Sequence, residues 1–192
     1  MKEIETENII LRKFMKKDAK EAFENWAGVS SLADISDFAV HSNVEQTEEI
    51  IEKGLGDSNA DQYTMAIIFK DVNQLAGFIR ISEISLKNKT CKINFIVGKK
   101  WADAGKEDLY AEAIKKVTSL LIRDGFNVVT YVYKDISEND KRNISIIEKA
   151  GFEKEAVLHK RIIDLKTGEK KEKQNSKQNF KKKKKEKKSK TF

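Results

Sequence analysis

Few side chains in this 192-residue sequence are of the types that do chemistry unaided. There are two histidines, His41 and His159, and one cysteine, Cys91. The histidines lie far apart in the chain and no Cys/His spacing suggests zinc, so no metal is expected. A lone cysteine excludes an intrachain disulfide, which suits a reducing compartment. Cys91 falls in an alternating segment and reads as a packed thiol rather than a nucleophile. What the sequence has in quantity is charge, at 36% Asp, Glu, Lys and Arg. Residues 169–192 hold 12 Lys and 3 Glu, a net +9; the whole chain is +7, which leaves −2 for residues 1–168. The run KKKKKEKKSK (181–190) is too charged to pack and reads as a disordered, solvated tail. The same run is suited to non-specific contact with RNA or the ribosome by counterion release. Only Phe180 and Phe192 interleave it, so it offers no stacking platform.

The remaining chemistry depends on elements that position it. Residues 8–14 (NIILRKF) read as a first strand. A helix follows with Ala19, Ala22, Phe23 and Trp26 on one face, and Asp18 is placed to support its first turn. Leu32, Ile35 and Phe38 lie in a loop or short helix. Asn43 or Thr47 opens an acidic helix, VEQTEEIIEKGL. Residues 63–70 and 74–84 form a hairpin, and 90–98 adds a third strand, an antiparallel meander. A long helix over about 106–124 carries Leu109, Ala113, Val117, Leu120 and Leu121 on one face and stops at Gly125. The continuous apolar run 126–134 reads as a buried central strand. A short helix over 136–152 ends at Gly151, and a last hairpin pairs 153–165 with 171–180. The expectation is therefore a folded domain over 1–168 and a lysine-rich tail over 169–192. No segment has the charge and apolar pattern of a signal peptide, and none approaches the roughly 18 apolar residues of a spanning helix. A cytoplasmic protein, monomer or homodimer, is expected.

Three segments carry a family resemblance. IETENIILRKFMKKDAKEAFENW resembles the strand and acidic helix that open RimJ/RimL-type acetyltransferases. IIFKDVNQLAGFIRIS, with Gly77, is similar to their second and third strands. NISIIEKAGFEKEAVL resembles their most recognisable motif, a helix ending in Glu-Lys-x-Gly-Phe before a strand. The chain is thus identified as resembling the Gcn5-related N-acetyltransferase (GNAT) superfamily over about residues 4–165. The resemblance implies an α+β, three-layer fold: a mixed, mostly antiparallel sheet of about six or seven strands with helices on both faces. It implies acetyl-CoA as co-substrate and an amine acceptor, either a protein N-terminus such as a ribosomal protein's or a small amine. In the family two neighbouring strands splay, and main-chain groups of one bind the pantetheine arm; here these belong to Phe95, Ile96 and Val97. The diphosphate lies on amides at the start of the long helix, where unpaired N–H groups and the helix dipole favour an anion.

Here that loop is KKWADAGKEDLYAEA (99–113). Either Lys100 to Gly105 matches the family's Gly-rich loop with Asp103 for its first Gly, or Trp101 and GKEDLYAEA match its Trp and helix with extra residues between. Under both, Lys100, Ala104, Gly105 and Lys106 are the implied cofactor-binding residues, and Asp103, Glu107 and Asp108 place three carboxylates near a diphosphate site. These charges repel a bound anion unless they point away or Lys99, Lys100 and Lys106 offset them. On the short helix Asn143 falls where the family bonds the cofactor arm; Asp140 falls on the family's usual Asn one turn earlier, and the adjacent Asn139 is the substitute candidate. Lys92 stands where relatives often carry a basic Glu; Glu83 is the substitute candidate. Ser145 and Tyr133 are the candidate proton donors to the departing thiolate. The second reading is a catalytically degenerate domain that keeps the fold and docks on RNA, the ribosome or a protein through its basic tail.

Overall fold

A strand buried on both faces needs apolar residues at every position, and YTMAIIF is such a run. In the computed structural model, which describes residues 3–30, 39–55, 62–134, 138–158 and 177–183, it forms a central strand of one sheet. The strands are β1 (Ile4–Glu5), β2 (Ile9–Arg12), β3 (Tyr63–Phe69), β4 (Gln74–Ser85), β5 (Thr90–Val97), β6 (Val128–Lys134), β7 (Glu153–Leu158) and β8 (Lys177–Lys183). Their order is β1-β2-β3-β4-β5-β6-β8-β7. Every pair is antiparallel except β5 with β6. The sheet has eight strands; the strand beyond those expected is the two-residue β1, too short to leave a periodic signal.

Helices cover both faces. On one side a 3-10 turn (Lys16–Asp18), helix α1 (Ala19–Ala22) and a π turn (Phe23–Ala27) run without a break, and helix α2 (Val44–Ile50) continues into a π turn (Ile51–Leu55). Phe14, Ala22, Trp26 and Ile51 bury there against Ala66, Ile68, Phe78 and Ile96 of the sheet. On the other side lie α3 (Glu107–Arg123) and α4 (Glu138–Lys149). Tyr110, Ile114, Val117, Ile146 and Ile147 bury against Ile67, Ile79, Ile93 and Phe95. Successive strand residues thus go to opposite layers, as the pleat requires.

Local signals set the ends. Asp18 takes two hydrogen bonds from the Arg12 guanidinium, at 2.7 and 2.9 Å, and one from the Met15 amide at 2.8 Å, fastening β2 to the first helical turn. Asn43, not Thr47, caps α2: its Oδ1 accepts from the Gln46 amide at 2.8 Å. The Glu-Lys-Ala-Gly-Phe motif is a Schellman stop. The Gly151 amide donates to Glu148 O at 2.8 Å and the Phe152 amide to Ile147 O at 3.1 Å, with Gly151 at φ +84°. Phe152 is then delivered into the core.

One expectation needs correction. Within the segment read as a disordered tail, Lys177–Lys183 forms β8, between β6 and β7 and paired to both. Main-chain hydrogen bonds to two neighbours do not depend on apolar side chains, and Phe180, the one apolar residue of β8, lies in register with Tyr131 of β6. The folded unit therefore does not stop at 168. Residues 159–176 and 184–192 lie outside the described residues, as do 31–38, which include Leu32, Ile35 and Phe38. Among the described residues no helix is long and apolar enough to cross a membrane.

Candidate active site

The site begins where β5 and β6 part. They pair only at Thr90–Val128, Cys91–Val129 and Lys92–Thr130. Beyond these positions β5 stays paired to β4 as far as Val97, and β6 to β8 as far as Lys134, but not to each other. Phe95 and Tyr131, one from each strand, close the α3 side of the opening with ring centroids 5.3 Å apart. The Thr130 hydroxyl donates to Cys91 O at 3.3 Å, so the main chain of Cys91 faces β6. Main-chain groups alternate sides along a strand, so Ile93, Phe95 and Val97 also face β6 and have no β6 partner. Ile96 faces the other way: its carbonyl oxygen lies 2.0 Å from where a Cβ on Gly77 would sit. The sequence reading missed Ile93 and took Ile96 for part of the grip; parity puts its main chain on β4.

The loop after β5 is bolted to a bulge in β4. Ile67 pairs with Gly77 and Ile68 with Leu75, leaving Ala76 unmatched. Ala76 O accepts from the Tyr110 hydroxyl at 2.6 Å and the Gly98 amide at 2.8 Å. Leu75 O accepts from Trp101 Nε1 at 3.2 Å. Buried Asn25, in the first π turn, accepts from the Lys100 amide at 3.2 Å. The chain then makes a 3-10 turn (Lys99–Trp101) and bends through Gly105, at φ +65°, into α3. The amides of Gly105, Lys106, Glu107 and Asp108 donate to no described protein acceptor, and no side chain caps the helix. This is a cluster of unpaired donors at a helix N-terminus, the arrangement that suits an anion.

The nearby carboxylates point away rather than being offset by the loop lysines. Lys106 turns to Asp71 at 2.7 Å, holding that carboxyl below its usual range through the hydrogen bond. Lys100 bonds Gln74 and lies 5.0 Å over the Trp101 ring. Neither lysine offsets the loop acids. That falls to α4: Arg142, 17% exposed, donates to Asp103 at 3.2 Å, and Lys149 pairs with Asp108 at 2.9 Å. Asp103 and Asp108 are 95% and 84% exposed, so these carboxylates point outward and do not fill the hollow. The sequence reading did not single out Arg142, although it stands beside Asn143 in the helix start that the resemblance marked.

Asn143 is 4% exposed and opens the buried stripe of α4 that continues with Ile146, Ile147 and Ala150. Its side chain has no hydrogen-bond partner among the described residues. A buried amide is costly without a partner, and this one adjoins the loop that Arg142 faces. Ser145 is two positions on and so off that face. Glu83 sits at the paired end of β5, 71% exposed, at φ +50°, in an ion pair with Lys92 at 3.0 Å. That is the geometry of a solvated strand end, not of a base inside the opening. The backbone of Tyr133 belongs to β6, opposite Gln178, and Asn139 to the first turn of α4; their side chains lie outside the described residues. Among the described residues no cluster of His, Cys, Asp and Glu is placed to hold a metal. A free strand edge and, among the described residues, unpaired amides at a helix start and a buried Asn143 amide without a partner fit the arm and diphosphate of an acyl-CoA.

The fold and this site define an acetyltransferase. Residues 8–153 match the model of the acetyltransferase (GNAT) domain, and the chain belongs to that family. Solved structures agree in fold. The ribosomal-protein-S5-alanine acetyltransferase of Vibrio fischeri superposes with a TM-score of 0.71 at 12% identity, over 97% of this chain and 98% of that one. RimL, a ribosomal α-N-protein acetyltransferase in complex with coenzyme A, gives 0.72 at 13%, over 95% and 98%. The microcin C7 self-immunity acetyltransferase MccE, in complex with acetyl-CoA and AMP, gives 0.69 at 20%, over 93% and 93%. At such identities the likeness is one of fold. No curated protein matches the chain by sequence.

Proposed function

We propose that this GNAT acetyltransferase acetylates a primary amine, either the N-terminus of a protein such as a ribosomal protein or a small amine, by direct attack. The observation that carries the reading is the parting of β5 from β6 after Lys92 and Thr130, beside the unpaired amides of residues 105–108. Acetyl-CoA supplies the acetyl group as a thioester; a neutral amine attacks its carbonyl carbon, and the C–S bond breaks to release the coenzyme A thiolate. Ile93, Phe95 and Val97 contribute main-chain groups to hold the arm, and Asn143 contributes a buried amide. Gly105, Lys106 and the following amides receive the diphosphate, with Ala104 and Lys100 shaping the approach. Backbone donors at the free edge of β5 stabilise developing negative charge on the carbonyl oxygen. The proton of the amine leaves through water, and Tyr133 of β6 is the candidate to protonate the thiolate.

Thermal stabilisation tests the reading, because a ligand that binds only the folded state must raise its stability. Acetyl-CoA at millimolar concentration is expected to raise Tm, and thiol release with an amine acceptor is expected to follow. Absence of any shift rejects the enzyme reading. The competing reading, a degenerate scaffold docking on RNA or the ribosome through residues 169–192, is favoured by the engagement of Lys100 and Lys106 away from the loop. It predicts RNA binding that weakens steeply with salt and no acetyl-CoA shift.

A further inference from the structure

We propose that Glu21 and Asn25 are positioning residues for the cofactor: from the face of the sheet opposite α3 they hold the β4 bulge and the loop after β5, so that the amides of residues 105–108 stay free for the diphosphate. This rests on the acetyltransferase reading above. Glu21 lies on α1, and Asn25 lies four residues on, in the π turn that continues it, so the two stand one above the other on one helix face. The Leu75 amide donates to Glu21 Oε2 at 2.6 Å, and the Lys100 amide to Asn25 Oδ1 at 3.2 Å. Leu75 adjoins the unmatched Ala76, and Lys100 lies past the last pair of β5. At such places the ladder runs out and side chains must take over its main-chain groups.

The π turn is what delivers Asn25. The Gly28 amide donates to Phe23 O, five residues back, at 2.9 Å, and Asn25, Trp26 and Ala27 are all buried. Three successive residues spread over about 200° of a helix, more than one apolar face covers. Trp26 meets Phe14 and Phe78 in the core. Asn25 meets the loop instead: a Cβ on Gly98 would lie 3.2 Å from Asn25 Cβ. Turns of this kind recur at functional sites.

The loop is thereby gripped from both layers. On the α3 side Trp101 Nε1 donates to Leu75 O and the Tyr110 hydroxyl to Ala76 O. On the α1 side Glu21 and Asn25 take the amides, so Leu75 gives its carbonyl to one layer and its N–H to the other. Within the loop the amides of Lys100, Trp101, Ala102 and Ala104 donate to Asn25, Gly98, Lys99 and Trp101 in turn. Those of residues 105–108 have no described protein acceptor. Of the four acceptors in the first part of the loop only Asn25 acts through its side chain, so it is the one that a substitution can remove.

Calorimetry of coenzyme A binding to the full chain tests this, with melting curves beside it. Asn25→Leu removes the acceptor for Lys100, and Glu21→Met the acceptor for Leu75, each with little change of volume. Glu21→Gln keeps an acceptor in place. Ile51→Val trims the same buried layer away from both amides and controls for lost stability alone. Asn25→Leu and Glu21→Met are each expected to bind coenzyme A about tenfold more weakly, as for the loss of one hydrogen bond. Glu21→Gln and Ile51→Val are expected to stay within about twofold of the wild type. If Asn25→Leu and Glu21→Met also stay within that range, the proposal is overturned. It is overturned equally if Ile51→Val weakens binding as much at a like loss of Tm, or if Glu21→Gln binds no better than Glu21→Met. A wild-type chain that takes no coenzyme A sinks the enzyme reading and this one with it. A wild-type chain that binds while every variant binds alike sinks this one alone.

Discussion

The hydroxyl of Tyr110, on the first turns of α3, donates to the carbonyl of Ala76, the unmatched residue in β4, at 2.6 Å. Tyr110 is 1% exposed, so the bond is made without water, and burial pushes the phenol's pKa well above its ordinary value. It ties the helix whose start presents free amides to the strand beside β5. Replacing Tyr110 with Phe keeps the ring packing on Phe69 but removes the donor. Ala76 O retains the Gly98 amide, so the expected loss is about 1 kcal/mol. In a chain of this size that is a fall in Tm of about 2–4 °C. The KM for acetyl-CoA should rise with it, because the loop loses an anchor. An unchanged melting curve would show that the bond carries no net stability.

Two glycines at the site should respond differently to Ala. At Gly77 a Cβ meets Ile96 O at 2.0 Å, a backbone atom in a paired strand that cannot step aside. Gly77→Ala is expected to cost about 3 kcal/mol or more, read by denaturant unfolding. At Gly105 a Cβ meets nothing within 4 Å, but φ is +65°. Gly105→Ala is expected to cost only about 1–2 kcal/mol, from the left-handed conformation. Equal losses would mean that the approach of Gly77 to Ile96 is not a tight one.

Asn143 gives a prediction of opposite sign for the free and bound protein. Its amide is buried and without a described partner, so Asn143→Leu relieves a desolvation cost of about 1–3 kcal/mol and should raise the Tm of the unliganded chain. The same change should diminish the Tm increase produced by acetyl-CoA. A variant less stable than wild type, or one with an undiminished acetyl-CoA shift, removes Asn143 from the site.

Much of this arrangement was legible in the residues. The meander, the long helix and the apolar run 126–134 announced themselves by period, and the Gly151–Phe152 stop by its motif. The parting beside β5 was expected from the family resemblance alone. What the residues do not reveal is parity. Deciding that Ile93 and not Ile96 faces the opening needs one fixed point, and the Thr130 hydroxyl on Cys91 O supplies it. The partners of long charged side chains are equally hidden. Lys100 and Lys106 are near the loop in sequence yet reach Gln74 and Asp71 across space, while Arg142 arrives from another helix. Strand β8 was legible only in part, as the second strand of the last hairpin: its stabilising groups are main-chain ones, and the lysines that carry it on to Lys183 mask them in any hydropathy pattern.

His41 should make stability depend on pH in a defined direction. His41 is partly buried, with Nδ1 on Thr47 Oγ1, and the Thr47 hydroxyl in turn lies 3.3 Å from Asn43 O. Burial lowers the folded-state pKa below the ordinary value of 6.5. The unfolded chain then binds the proton more readily than the folded one, so stability rises with pH across the interval between the two values. The contribution is complete above about 6.5 and is lost as pH falls through the lower, folded value. His41→Gln preserves a polar group for Thr47 but cannot titrate. Melting curves from pH 8 down to 5 are therefore expected to diverge, with the wild-type chain losing Tm relative to the variant below about pH 6.5. Parallel curves would mean that the ring titrates as it does in water. A wild-type chain that gains on acidification would mean that folding brings the ring a negative partner.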